Sequence, residues 1–343
     1  MIGFCLAAGP GRRLAPLTRA VPKPLLAPAG RPLLELACAA LEKAGAEWVM
    51  VNLHHGAGAI EAYLAGRPGI EVAHESVLLG TGGGLVAARR AGLLGDGDET
   101  VLVTCADHVF DPADLAMLAA RVARTGAPVV IGVGAGRIPP LFRLEGGRAL
   151  PDPDGPWTAA GAFALRASVL DGVDPGYSEL LHAVLAPCWR RGALVGVPMH
   201  GPWADAGTLG RFLAVSAGLL QGRWPYPLPP GRLLGGHQVE RLAAGSCVAE
   251  RPVGEGASAV AIGSGPVFLA AGAVLEPGAL LAGPVVLDAG SRVEAGAVVT
   301  RTVVGAGATV GRGATVTGSV LGPGARLDPG TLTTAALVPP GFG

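Results

Sequence analysis

Charge is what this sequence has little of: 15% of its 343 residues are Asp, Glu, Lys or Arg, and the two signs cancel to a formal net charge of +0. No general field therefore gathers nucleic acid or an anionic membrane, and any phosphate must be recognised by locally placed groups. Lysine is nearly absent, at Lys23 and Lys43 alone, while arginine carries the remaining positive charge. Five cysteines, at 5, 38, 105, 188 and 247, form no CxxC pair and leave an odd count, which argues against a disulfide framework or a structural zinc site. Free thiols suit a reducing compartment, so a cytoplasmic location is expected. The opening run from Met1 to Gly9 is apolar with no basic segment before it, and reads as a buried strand, not an export signal. The most lipid-like stretch, Ala259 to Leu275, is broken by Gly263, Gly265, Pro266 and Gly272, so membrane insertion is not expected. What the chain does have is 50% hydrophobic residues and enough length for about two domains with a large core.

Up to about residue 225, short apolar runs alternate with helix-like stretches, the pattern of a sheet covered by helices. Ile2 to Ala8, Trp48 to Leu53, Val101 to Cys105 and Val129 to Val133 are expected as strands, and Leu33 to Ala44 and Pro112 to Thr125 as helices. Around Trp224-Pro-Tyr-Pro-Leu-Pro-Pro-Gly231 proline dominates and can continue neither element, marking a linker.

Beyond the linker an aliphatic residue returns every sixth position, at Leu269, Leu275, Leu281, Leu287, Val293 and Val299. The ladder resumes at Val304, Val310 and Val316, and again at Leu321 and Leu327, with glycine or small residues following each rung. One hexad cannot bury its own apolar side chain, so the repeat implies stacked coils around a narrow core. It resembles the left-handed parallel β-helix of hexapeptide-repeat proteins. The expected division is thus an α/β domain with a Rossmann-like, mixed but mostly parallel sheet at 1–225, a connecting segment at 226–252 and a β-helix at 253–335.

The chemistry is concentrated in Leu6-Ala-Ala-Gly-Pro-Gly-Arg-Arg-Leu-Ala-Pro-Leu-Thr18, directly after the first strand, and in Pro22-Lys-Pro-Leu25. A glycine-rich turn lets backbone N–H groups approach phosphate closely, and Arg13 and Lys23 can neutralise its charge. A phosphate-loop NTPase is excluded because GxxxxGK[ST] is missing, and a dinucleotide fold lacks its third glycine. The two motifs resemble the signature of nucleoside-diphosphate-sugar pyrophosphorylases, the sugar-1-phosphate nucleotidyltransferases. The resemblance continues through Val51-Asn-Leu-His-His55, Leu79-Gly-Thr-Gly-Gly-Gly-Leu85, Thr104-Cys-Ala-Asp107 and Gly201-Pro-Trp-Ala-Asp-Ala-Gly-Thr-Leu-Gly-Arg211, in the family's order.

The resemblance implies that Ala8 and Gly9, with the loop at Gly80, Thr81, Gly82 and Gly83, hold the nucleoside, helped by Leu6, Gly11, Arg12 and Gly161. It further implies Arg13 on the triphosphate, Lys23 at the reacting phosphates, and Asp107 and Asp205 as ligands of Mg²⁺, a hard cation that prefers oxygen donors. The substrates would be an NTP and a sugar 1-phosphate, the products an NDP-sugar and pyrophosphate. The WxDxGT and TGGG segments look closest to bacterial enzymes acting on mannose-, heptose- or N-acetylmuramate 1-phosphate, precursors of cell-envelope polysaccharide. Glu75, ahead of LLGTGGG, favours GTP over UTP, its other reading being an exposed strand-end glutamate.

Some family features are missing. Residues 134–156 contain no lysine where many relatives grip the sugar phosphate, so Arg143 is the candidate there, with a solvated loop arginine as the alternative. Cys105-Ala106 stands where Asn-Gly usually precedes the metal aspartate. From 262 onward there is no histidine to serve as the base of an acetyltransferase, so the β-helix is expected to assemble a homo-oligomer or to regulate. A catalytically silent subunit that senses nucleotide sugars is the reading from another class.

Overall fold

The structure is a computed structural model that describes residues 1–341 except 96, 137, 235–240, 244–257 and 262–264. Parts of the expected linker, His237, Cys247 and the expected start of the β-helix at 253 lie outside the described residues.

In chain order the strands are β1 (Ile2–Leu6), β2 (Trp48–Leu53), β3 (Ile70–His74), β4 (Thr100–Cys105), β5 (His108–Val109), β6 (Val129–Ala135), β7 (Leu141–Glu145), β8 (Arg148–Pro151), β9 (Trp157–Arg166) and β10 (Leu194–Pro198). The helices are α1 (Leu17–Ala20), α2 (Leu33–Lys43), α3 (Ala57–Leu64), α4 (Gly80–Arg90), α5 (Pro112–Thr125), α6 (Ala186–Arg190) and α7 (Leu209–Leu220). The strands and helices expected from apolar periodicity are all present, with ends shifted by a residue or two. β1 stops at Leu6, short of Ala8, because the Ala7 N–H turns out of the ladder to the Asn52 side chain at 2.8 Å. α5 starts where expected because Asp111 caps it, accepting from the Ala113 N–H at 2.9 Å, with Pro112 in the first turn.

By contacts the chain folds as two compact units, Met1–Pro10 with Leu34–Ala204, and Gly11–Leu33 with Asp205–Gly343. The division does not follow a single cut near residue 225. The segment after β1 packs with the C-terminal half, as do Asp205 and α7.

The first unit is built on a nine-stranded sheet in the order β3-β2-β1-β4-β9-β6-β10-β8-β7. β1 to β4 run parallel, as do β6 and β10, while β9 is antiparallel to both β4 and β6. The sheet is therefore mixed. Its core buries Phe4, Val103, Ile131 and Leu165 completely. After β1 the sheet grows toward β2 and β3, and β4 lies on β1's other side. Loops leaving the carboxyl ends of β1 and β4 thus diverge at a topological switch point, where open α/β sheets bind ligands.

The second unit contains a three-sided parallel β-helix. Short strands stack into three sheets with register Leu269↔Leu287, Leu287↔Val304, Val304↔Leu321 and Leu321↔Val338 on one side. Every rung of the ladder read from the sequence lies in its buried core. The phase break after Val299 is a side shortened by one residue, so a coil of eighteen residues is followed by coils of seventeen.

Candidate functional site

In the first unit the carboxyl ends of β1, β2 and β3 are laced by side chains. Asn52 accepts from Ala7 N–H and donates to Glu75 Oε1 at 2.6 Å, and Glu75 Oε2 accepts from the Leu79 N–H at 3.0 Å. Glu75 is only 8% exposed, so the reading of an exposed strand-end glutamate is corrected: its carboxylate ties the first loop to the glycine-rich one. Gly9, by contrast, is not required by packing, since a Cβ there would meet no atom within 4 Å.

Glycines 80 to 84 have a different reason. A Cβ on Gly80 would lie 2.6 Å from the Ser178 carbonyl, and one on Gly82 would lie 2.9 Å from the Ser178 hydroxyl. The N–H groups of Gly82 and Gly83 both donate to the Ser178 carbonyl, at 2.8 and 3.1 Å. Thr81 donates its hydroxyl to Glu179 at 2.7 Å and accepts from the Leu180 N–H. Hydrogen bonds from Tyr177 and Thr81 hold the Glu179 carboxyl below its ordinary range. This loop is a built clasp with the 177–180 segment, and those two N–H groups are spent inside the protein.

At the end of β4, Asp107 Oδ1 faces His108 Nδ1 at 2.8 Å, with the two side chains 19% and 15% exposed. The imidazole stacks on Phe110 at 5.8 Å between ring centroids. Burial works against charge on His108, but the Asp107 carboxylate and contacts with Asp107 and Cys105 outweigh it, and its pKa is pushed up to about 10. Donor atoms of Cys105, Asp107 and His108 lie within 4.8 Å of one another. Gly161, at φ 83°, leaves room for this ring, since a Cβ would stand 2.7 Å from His108 Nε2. His108 was missed from the sequence, although the Asp-His pair closing β4 was the available signal. Cys5 and Cys38 lie buried nearby, and contact with Cys38 together with burial holds the Cys5 thiol well above its ordinary range.

Arg143 is half exposed on the β7–β8 hairpin, its guanidinium paired with Glu145 and 3.8 Å from Asp152. That placement favours the solvated-arginine reading over a grip on sugar phosphate.

The second unit holds Arg12, Arg13, Lys23 and Asp205. Gly11, at φ 63°, turns the chain so tightly that a Cβ there would lie 2.9 Å from Lys23 Cβ, and Thr18 donates to the Gly11 carbonyl at 3.1 Å. Lys23 is buried, only 9% exposed, while Arg12 and Arg13 are exposed. Asp205 accepts from the Gly207 N–H and pairs with Arg211. The Arg13 guanidinium and the Asp205 carboxylate both reach the space a Cβ on Gly207 would take, so this glycine makes room for a cation and an anion side by side.

Residues 3–172 match the MobA-like NTP transferase domain. Mannose-1-phosphate guanylyltransferase of Mycobacterium tuberculosis is 31% identical over 266 residues, spanning 69% of this chain and 68% of that one. The chain belongs to the sugar-1-phosphate nucleotidyltransferase family. Within the family, N-acetylmuramate alpha-1-phosphate uridylyltransferase of Neisseria meningitidis is 29% identical over 239 residues, 65% of this chain and all of the relative. A solved Bacillus anthracis structure described as a glucose-1-phosphate thymidylyltransferase shares the nucleotidyltransferase fold at a TM-score of 0.56 and 19% identity, covering 63% of this chain and 95% of its own. Among the described residues, no helix is long and apolar enough to cross a membrane.

Proposed function

We propose that the protein transfers a nucleotidyl group from an NTP to a sugar 1-phosphate, most closely in the manner of a mannose- or heptose-1-phosphate guanylyltransferase. The observation that carries this reading is the pairing of two loops at the switch point of the sheet. The Leu6–Gly9 turn and the Asp107 turn leave adjacent strands, and the Ala106 N–H donates to the Leu6 carbonyl at 2.9 Å. A turn that would receive phosphate and a turn that carries a carboxylate are thus neighbours.

In the reaction, an oxygen of the sugar 1-phosphate attacks the α-phosphorus of the NTP, and the bond to the β-phosphate breaks to release pyrophosphate. No covalent enzyme nucleophile is required. Arg13 and Lys23 would hold the triphosphate and stabilise charge moving toward the leaving group, which is where electrostatic stabilisation gains most. Lys23 suits this role because burial concentrates a compact ammonium charge. Asp107 and Asp205, each part-buried, would serve as hard oxygen donors to Mg²⁺. When bound, the ion would neutralise phosphate charge. The Cys105 thiol and His108 are not magnesium ligands, and His108 instead orients the Asp107 carboxylate.

A preference for GTP over UTP belongs to this proposal; Glu75, whose two oxygens already accept from Asn52 and the Leu79 N–H, would act on it by fixing the two loops and not by gripping the base. A role in cell-envelope polysaccharide supply, a cytoplasmic location and a homo-oligomer assembled through the β-helix belong to the same proposal.

The test is to incubate the protein with each NTP, a panel of sugar 1-phosphates and Mg²⁺, and to measure pyrophosphate. Release with GTP and mannose or heptose 1-phosphate is expected. Nucleotide binding with no pyrophosphate from any pair overturns the reading in favour of a silent sensing subunit.

A further inference from the structure

The loop that carries Arg13 and Lys23 is seated on the β-helix. Leu17, fully buried, fills the space beside Gly322, where an added Cβ would lie 2.6 Å from Leu17 Cδ1. Further along, Gly30 presses on Pro229, with a Cβ there 2.7 Å from Pro229 Cγ and 3.3 Å from Asp288 Oδ1, and Arg31 donates to the Pro227 carbonyl at 3.1 Å. Asp288 and Gly322 are not scattered. They follow Leu287 and Leu321, which occupy the same rung two coils apart, so the segment lies along one corner of the helix.

Gly322 is set apart from other corner glycines. Its φ lies outside the left-handed range, so its backbone does not demand glycine. At the equivalent Gly305, one coil earlier, the missing Cβ faces the backbone of the next coil, at Leu321 O and Pro323 N. At Gly322 the nearest atom instead belongs to Leu17 of the loop. The loop is tied to itself around the first anchor point: Gly11 packs on Thr18 and Lys23, and the Val21 N–H closes the turn onto the Leu17 carbonyl at 3.0 Å.

We propose that Leu17 and Gly322 are positioning residues, through which the β-helix fixes the placement of Arg13 and Lys23. This rests on the reading of those two cations as triphosphate ligands. Displacing a charged group by about 1 Å can cost on the order of 100-fold in rate, so a seat of this kind acts on turnover without touching substrate. The β-helix then takes part in catalysis from behind the loop, a role distinct from assembly.

A size exchange tests it. Gly322→Ala pushes on Leu17 and is expected to lower kcat about tenfold, leaving the KM for the sugar 1-phosphate unchanged. The double variant Leu17→Ala with Gly322→Val, which returns the lost volume from the other side, is expected to recover most of that loss. Hydrogen exchange supplies a readout that needs no activity: amides of residues 11–33 should exchange faster in Gly322→Ala and slow again in the double variant, with coils 285–317 unchanged. Wild-type kinetics and exchange in Gly322→Ala overturn the proposal, as does a double variant no better than the single one. If the wild-type protein releases no pyrophosphate, the assignment of Arg13 and Lys23 falls, while the exchange experiment still decides whether the seat exists.

Discussion

The clasp at Gly80–Gly84 and the corners of the β-helix are both rich in glycine, yet for opposite reasons. At the clasp, Ser178 and Glu179 press against Gly80 and Gly82, the Gly176 carbonyl against Gly83, and the Glu75 and Asn52 side chains against Gly84, so each position answers to its own neighbours. At β-helix corners such as Gly290, at φ 65°, a Cβ would meet nothing within 4 Å, and the requirement is the turn itself. Gly82 and Gly83 of the clasp serve closeness, whereas the left-handed corners such as Gly290 serve curvature. A once-only contact has no substitute, whereas a repeated one is shared among its neighbours in the stack.

The sharpest way to break this contrast is at a residue with no counterpart elsewhere. Asp107→Asn is expected to reduce pyrophosphate release on the order of 100-fold or more with the fold intact, because a charged oxygen worth several kcal/mol of stabilisation is lost. Activity within a few-fold of wild type, at saturating Mg²⁺, would remove Asp107 from the reaction.

Next comes a matched pair of glycine substitutions read by chemical denaturation. Gly82→Ala forces Ser178 and Glu179 to shift and is expected to cost about 1–3 kcal/mol, with a loosened nucleotide loop. Gly290→Ala strains one left-handed residue against open space, at roughly 1 kcal/mol. Equal costs, or the reverse order, would dissolve the distinction between closeness and curvature.

The smallest effects concern pH, and the two regions should respond with opposite sign. Glu179, held below its ordinary value by Tyr177 and Thr81, adds stability above the unfolded pKa of about 4.3 and loses it as pH falls through the folded value. Asp288 in the β-helix is raised by burial, despite the Ala289 N–H, so its folded form is favoured at low pH and penalised as pH rises through its folded value. Unfolding curves against pH should therefore lose part of their acid limb in Glu179→Gln and gain stability at neutral pH in Asp288→Asn. Parallel shifts in both variants would contradict the assignment.

How much was legible in the sequence follows from the same contrast. The β-helix core was readable rung by rung, because each coil repeats the instruction of the last, and even the shortened side appeared as a break in phase. β1, β2, β4, β6, α2 and α5 were readable from apolar periodicity, and Asp107 from its place at a strand end. The clasp was not readable, since Thr81 meets Glu179 98 positions away and no period links them. Nor was the Glu75–Asn52 bridge, which joins β2 to the residue just after β3. The grouping of Gly11–Leu33 with the C-terminal half was hidden for the same reason: Leu17 and Gly322 carry no local mark of each other.

Cys105 makes the proposed centre chemically addressable. Of the thiols in the described residues, Cys5, Cys38 and Cys188 are buried and Cys105 alone is partly open, two positions from Asp107. A small alkylating reagent should therefore reach it before those three, and protection of its peptide from that reagent would report occupancy beside Asp107 by any ligand, turned over or not. Screening candidate sugars could then proceed by mass shift on a single peptide, before the reaction itself has been reconstituted.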